Sequence, residues 1–208
     1  DFVDKILLDL GLSSDQLENS GRGFSFQKNE PLLMTFKRDI GVGDLTAMDI
    51  VNNWAEDSLK AIIGGFGEER FAGRIARIIV EQRQQRRIET TQDLVEVIRK
   101  VIPAKFQHGR THFATKTFQA LRMATNNELE SLQEFLRDGF QYLSKGGRMA
   151  IISFHSLEDR IVKKFFKEKK MSGEMIIITK KPIGASKEEV EVNKRSRSAK
   201  LRIAEKIK

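Results

Sequence analysis

Two short stretches carry the residue types from which a ligand site is built. One is Asp9-Leu-Gly-Leu-Ser-Ser14, the other Ser153-Phe-His-Ser156. Each closes a continuous apolar run, Lys5–Leu10 and Arg148–Phe154, of the kind that forms a strand covered on both faces. In open α/β sheets, ligands bind at the carboxyl ends of such strands. An aspartate leaving a strand into a Gly/Ser loop can accept hydrogen bonds from a cofactor, and it can equally serve only to organise the turn. Ser13 and Ser14 add hydroxyls. His155 stands at the second strand end as a possible acid or base. Ser156 and Asp159 have the spacing of a helix N-cap and its acidic partner, which accounts for half of that motif structurally. His108 and His112 are four apart, the spacing of two metal ligands on a helix, yet Gly109 lies between them and no third ligand is apparent, so no metal is expected. Gly64-Gly65-Phe66-Gly67 follows a helix pattern, not a strand, and lacks the context of a phosphate loop. Without cysteine, thiolate metal sites, disulfides and cysteine nucleophiles are excluded.

The elements that must position these residues alternate along the chain. After the first strand and a Gly/Ser/Asn-rich loop, the segment from about Leu45 to Pro103 reads as helical. Thr46 with Asp49, Asn53 with Glu56, and Thr90 with Asp93 have capping-box spacing. Helices are expected over Thr117–Thr125, Glu128–Leu143 and Leu157–Lys170. Lys145-Gly146-Gly147 reads as a turn, and Met175–Thr179 and Lys200–Ile207 read as strands. No helix pattern separates the last two, so antiparallel pairing is expected. The layout is an α/β sheet with an all-α insertion.

Charge is uneven. Residues 160–208 hold 16 Lys/Arg against 6 Asp/Glu, and residues 1–159 hold 21 against 23, so the net +8 belongs to the C-terminal quarter. Such asymmetry fits contact with a polyanion, though a solvated face would look the same. Arg70, Arg74 and Arg77 fall on one helical stripe beside an apolar face of Phe71, Ile75, Ile78 and Ile79. That is either a wet basic side or a row of phosphate contacts. No apolar run approaches bilayer length, and the composition suggests a cytoplasmic protein.

Several stretches together resemble a known family. They are Ile6-Leu-Leu-Asp-Leu-Gly-Leu-Ser-Ser14, Gln16-Leu17, Arg22-Gly-Phe-Ser-Phe26, Gly67-Glu-Glu-Arg-Phe-Ala72, Ala114-Thr-Lys-Thr-Phe-Gln-Ala-Leu-Arg122, Asn126 with Glu128-Leu129, Gly146-Gly-Arg148, Ile152-Ser-Phe-His-Ser-Leu-Glu-Asp-Arg-Ile-Val162 and Arg197-Ser-Ala-Lys-Leu-Arg202. In order and spacing they resemble the small-subunit ribosomal RNA cytosine-N4-methyltransferases, the RsmH or MraW family.

The resemblance implies a class I methyltransferase Rossmann-like sheet, residues 1–40 and 111–208, with a helical substrate-recognition insertion, residues 41–110. It implies S-adenosylmethionine as cofactor and a cytidine in the decoding region of bacterial 16S rRNA as methyl acceptor, with the small ribosomal subunit as partner. Asp9 and Gln16 occupy the family's cofactor-contacting positions. Ser13, Ser14 and His155 are candidates for the catalytic groups. Arg70, Arg74, Arg77, His112, Lys116, Arg122, Arg195 and Arg197 are candidates for RNA contact. Methylation at C5 by a covalent route would need a cysteine, so direct transfer to nitrogen agrees with the composition.

Two departures matter. Pro31-Leu-Leu-Met-Thr-Phe36 stands where the family usually has P-L-D-M-R-M, so Leu33 and Thr35 replace an acid and an arginine. The family's glycine-rich motif, and the acidic and aromatic residues of its next two strands, are not found. Three strand–helix units at about 30 residues each would hold them. The chain is therefore expected to be the C-terminal two-thirds of such an enzyme and inactive alone. The alternative is a non-catalytic rRNA-binding or assembly protein. The unpaired edge expected for the first strand suggests a dimer or a complementing chain.

Overall fold

A computed structural model describes residues 2–109 and 111–208. In chain order the elements are β1 (Val3–Asp9), α1 (Ser14–Asn19), α2 (Ala47–Asn53), α3 (Glu56–Gly65), α4 (Ala72–Gln85), α5 (Thr91–Arg99) and α6 (Thr115–Thr125). Then come α7 (Glu128–Tyr142), β2 (Leu143–Ser153), α8 (Ser156–Met171), β3 (Met175–Ile177), β4 (Ile183–Gly184), α9 (Lys187–Val192) and β5 (Lys200–Lys206). The chain forms two compact units, Asp1–Gly11 with Leu129–Lys208, and Leu12–Glu128. By packing, segments 12–40 and 111–128 thus group with the helices, whereas the family-based division placed them with the sheet.

The first unit is a mixed sheet in the order β1-β2-β5-β3, with β4 also on β5. β1 and β2 run parallel, from Lys5 opposite Arg148 to Asp9 opposite Ile152. β5 lies antiparallel to β2, β3 and β4. The expected antiparallel end is present. A short α9 and a 3-10 turn, Lys194–Ser198, do separate β3 from β5, contrary to the sequence reading. The glycine turn survives as an irregularity inside β2: one β1 residue, Asp4, lies opposite 144–147, and Gly146 has φ +80°. Leu143, Met149 and Ile151 of β2 pack with Leu132, Leu136 and Phe140 of α7 and Val162 and Phe166 of α8.

β1 does not have two covered faces as its apolar run suggested. It hydrogen-bonds to β2 on one side only, and Leu7 is 69% exposed. Ile6 and Leu8 pack against the core, so the strand has one inward face.

The second unit is helical around a closed apolar centre. Leu32, Met34, Ile50, Leu59, Ile63, Ile75, Ile79, Leu94 and Leu121 are fully buried. The capping boxes Thr46–Asp49 and Thr90–Asp93 form at α2 and α5. The Asn53–Glu56 box does not. Asn53 ends α2, Trp54 turns extended, and α3 starts after Ala55 with no side-chain cap. Arg70 lies in the turn before α4, so only Arg74 and Arg77 of the basic stripe are helical. Among the described residues no helix is long and apolar enough to cross a membrane.

Candidate functional site

In the sheet unit, the parallel pairing of β1 and β2 sets two carboxyl ends side by side. Leu10 N–H donates to the Ile152 carbonyl at 3.0 Å and extends the ladder one residue past β1. Gly11 then takes φ +103°, a conformation that side-chain-bearing residues avoid, and its α-carbon passes close to the Phe154 ring. Asp9 is exposed. Among the described residues its carboxylate has no hydrogen-bond or ion-pair partner, so it does not organise the turn. It is an acceptor left open at a strand end.

The second strand end is held from below. His155 itself is the N-cap of α8: its Nδ1 accepts the Glu158 N–H at 3.3 Å. The Glu158 carboxylate accepts the N–H groups of Phe154 and His155 at 2.8 and 3.2 Å. The capping box is therefore one residue earlier than the Ser156–Asp159 spacing suggested. The His155 Nε2 is buried 3.1 Å from Glu158 Oε1. Burial pushes the Glu158 carboxyl up, but His155 and the backbone N–H groups outweigh it and hold the group below its ordinary value. Asp159 instead forms a two-pronged ion pair with Arg202 of β5, at 2.7 and 3.0 Å. Burial raises that carboxyl as well, and Arg202 and Lys200 outweigh it. His155 and Asp159 thus fasten α8 to the strand ends.

In the helical unit, two of the family-like stretches meet. A Cβ on Gly67 would fall 2.5 Å from the Lys116 carbonyl oxygen and 2.6 Å from that of Ile63, so only glycine fits. Lys116 Nζ donates to the Glu68 carbonyl at 2.8 Å. This contact brings Arg70 and Lys116 to one open cleft of about 240 Å³, walled by Phe71, Phe106, His112 and Phe113. The Arg70 guanidinium carbon lies 3.6 Å from the Phe106 ring centroid and 4.5 Å from that of Phe71. His112 stacks on Phe26 at 4.4 Å and leans on Phe113 at 4.2 Å. Burial, joined by the charge of Arg99, holds its imidazole below the ordinary value. Phe71 and Phe106 carried no sequence signal as site residues. They come together only through the packing of the turn before α4 against the segment after α5.

The other expected residues divide. Ser13 is the N-cap of α1: its hydroxyl accepts Gln16 N–H at 3.1 Å, and Gln16 Oε1 accepts Ser13 N–H at 3.0 Å. Ser14 begins that helix. The Gln16 Nε2 has no partner among the described residues. Arg122 is committed to Glu128 by bonds of 2.8 and 2.9 Å, both side chains being mostly buried. Arg77 lies 3.7 Å from Glu56, and Arg74 lies 6.0 Å from the Phe71 centroid. Arg195 and Arg197 are exposed in the 3-10 turn before β5.

The departing segment 31–36 is a clasp. Arg22 donates to the carbonyls of Thr35, Phe36 and Lys37, and Asn126 bridges Met34 O and Phe36 N. Thr35 itself is buried. Leu33 fits this role through its backbone, and the Thr35 hydroxyl accepts the Lys37 N–H at 3.3 Å.

Comparisons with known proteins agree with these motifs. The profile of the MraW methylase family matches residues 1–207. A protein of Persephonella marina named ribosomal RNA small subunit methyltransferase H is 50% identical over 206 residues, covering 99% of this chain and 69% of that protein. The protein of the same name from Clostridium botulinum (strain 657 / Type Ba4) is 49% identical over 222 aligned residues, 100% of this chain and 71% of its own length. The Synechocystis protein of that name is 52% identical over 204 residues, 98% of this chain and 64% of its own length. The profile runs through both the strand ends of the sheet unit and the cleft of the helical unit, and the chain belongs to the MraW methylase family, a family of methyltransferases.

Proposed function

We propose that the protein methylates the exocyclic N4 of a cytidine in the decoding region of small-subunit ribosomal RNA, in the cytoplasm, using S-adenosylmethionine. The observation that carries this reading is the open Asp9 carboxylate at the carboxyl end of β1, followed by the left-handed Gly11. A strand end with an unpaired acceptor and a small residue is where an α/β sheet takes a cofactor. The Gln16 amide N–H group, also without a partner, offers a donor. Taken singly, the Asp9 carboxylate fits hydroxyl or ammonium donors and the Gln16 amide fits an acceptor, and Asp9 and Gln16 are the groups that the resemblance assigns to the cofactor. When bound, S-adenosylmethionine supplies an electrophilic methyl on a sulfonium centre.

The protein's own work is then positioning and exclusion of water. The N4 lone pair is conjugated with the ring and must turn toward the methyl while a proton leaves. Of the candidate groups, Ser13 Oγ accepts a backbone N–H and both nitrogens of His155 are engaged or enclosed in the α8 cap. Ser13 is assigned to capping α1 and His155 to capping α8, not to moving the proton. These 208 residues hold no glycine-rich motif of the kind the resemblance assigns to the cofactor, so weak cofactor binding is expected of this chain.

The RNA contacts are assigned to Arg70, His112 and Lys116 at the cleft, with Arg74, Arg77, Arg195 and Arg197 as backbone contacts. Arg122 supports Glu128 and is no longer among them. The test is methyl transfer to unmodified small subunits, with the labelled RNA digested to nucleosides. N4-methylcytidine supports the reading, and Asp9→Ala should weaken cofactor binding measured by calorimetry. Methyl found on C5 or on a ribose, or RNA binding with no transfer by any longer form carrying these residues, would overturn it in favour of a non-catalytic binder.

A further inference from the structure

Cations at and near the helical unit's cleft lie on aromatic rings, Arg70 lining the cleft itself. Arg70 sits on two rings, Arg74 lies over Phe71, Arg99 lies 5.7 Å from the Phe113 centroid, and Lys105 Nζ lies 5.1 Å from that of Phe106. None of these four has a carboxylate partner among the described residues. The carboxylate that does line the cleft, Glu69, has one oxygen taken by the Phe71 N–H at 2.9 Å. Some surface cations in this protein pair with acids, as Lys164 does with Glu168 and Arg148 with Glu205. Here they gather on aromatic faces and keep their donors free.

A guanidinium in van der Waals contact with a ring is held in plane. It offers a flat surface for stacking and an edge of N–H donors for an anion. Half-buried phenylalanines and a histidine beside it are the side chains on which unstacked RNA bases lie. Burial and the charge of Arg99 disfavour the charged imidazole. At about 240 Å³ the cleft is smaller than the roughly 300–1,000 Å³ that takes a drug-sized ligand, and has room for one base. Glu69 gives that base's amino or imino hydrogens an acceptor.

We propose that this cleft is a nucleotide subsite: it takes one unstacked base of single-stranded RNA against Arg70, Phe106 and His112, with Lys116 and Arg74 on the adjoining phosphates. The inference rests on the proposed RNA substrate and adds base stacking to what would otherwise be contact by charge alone.

The test uses the whole 208-residue chain with two probes. One is a short single-stranded oligoribonucleotide carrying 2-aminopurine, the other its abasic counterpart of equal length and charge. The base-containing strand should bind about ten-fold tighter than the abasic one, with quenching of the 2-aminopurine. Phe106→Leu should remove most of that preference and leave the salt dependence of abasic binding unchanged. Arg70→Gln, at an exposed residue without an ion pair, should remove the preference and lower the salt slope by about one. It carries the test if Phe106→Leu fails to fold, as followed by Trp54 fluorescence. Equal affinity for the two probes, or a preference that survives Arg70→Gln, would overturn the subsite. Base preference with no methyl transfer by any longer form carrying these residues would overturn the proposed function alone. Transfer without base preference would overturn the subsite alone.

Discussion

The helical unit closes its core and the sheet unit does not. Between Leu32 and Leu121, eleven large apolar side chains of the helical unit are fully buried: Leu32, Met34, Ile50, Leu59, Ile63, Ile75, Ile79, Ile88, Leu94, Ile98 and Leu121. In the sheet unit Leu7, Ile176 and Ile183 of β1, β3 and β4 are at least half exposed. The charges differ less: both units set cations on rings, Lys169 and Lys206 on Phe140 in the sheet unit, and the helical unit has its own buried pair, Arg122–Glu128. The sheet unit uses its cations structurally, in Arg202–Asp159, Arg148–Glu205 and Lys169–Glu174. The helical unit leaves Arg70, Arg74 and Arg99 on aromatic rings. A helix pattern of period 3.6 closes against its neighbours, while an apolar strand run describes what can be covered, not what is covered.

The largest effects should come from the closed core. Ile63→Ala should cost about 3 kcal/mol, seen as a lower urea midpoint by the fluorescence of Trp54, which packs against this core. The matching truncation at the exposed strand, Leu7→Ala, should stay within about 0.5 kcal/mol. A large cost at Leu7 would mean that the strand face is covered in solution, and the contrast would fail.

The sheet unit's own weak point should be its mostly buried ion pair. Asp159→Ala leaves Arg202 uncompensated and should cost about 3 kcal/mol. Circular dichroism of the sheet unit should report it, with the Trp54 transition in place if the units unfold separately. A coincident shift of both signals would show one cooperative molecule.

A finer contrast lies within one turn. Gly67→Ala meets two backbone carbonyls and should cost about 2 kcal/mol, whereas Gly65→Ala meets nothing within 4 Å at the end of α3 and should be neutral or stabilising by up to about 1 kcal/mol. Gly67→Ala should also weaken RNA binding, because the turn it displaces carries Arg70.

The smallest effect is in pH. His112 has a folded value depressed below 6.5 by burial and by Arg99. Between the two values the unfolded chain binds the extra proton, so stability rises with pH there. The contribution is complete above about 6.5 and is lost as pH falls toward the folded value. Glu158 and Asp159 are depressed below 4.5 and 3.8, so their contributions last until more acid conditions. Acid titration should therefore loosen the helical unit first. His112→Phe should flatten the Trp54 transition between pH 7.5 and 5.5, and an unchanged slope would remove His112 from this role.

Much of the local structure was legible before any coordinates. The boxes at Thr46 and Thr90, the two apolar strands, expected to end at Leu10 and Phe154 and found to end one residue earlier, and the antiparallel β5 follow from pattern and spacing. The misplaced caps share a reason. Acids stand at adjacent positions, Glu158 and Asp159, so two cap registers satisfy the same spacing rule. Arg202, 43 residues away, takes Asp159 and leaves Glu158 for the cap. At Asn53 the fault is similar: the chain must leave α2 before α3 can start, and Ala55 inherits the cap position.

The sequence by itself determined the α/β class, the helical insertion, the strand-end aspartate, the exclusion of cysteine chemistry and, through its motifs, the family. These rest on short-range periodicity, on residue chemistry or on matching order. Tertiary structure alone decided that Arg122 belongs to Glu128, that Asp159 belongs to Arg202, and that Arg70 rests on Phe106 beside His112. Which charge meets which ring or acid depends on the packing of segments far apart in the chain, and local spacing carries no record of it.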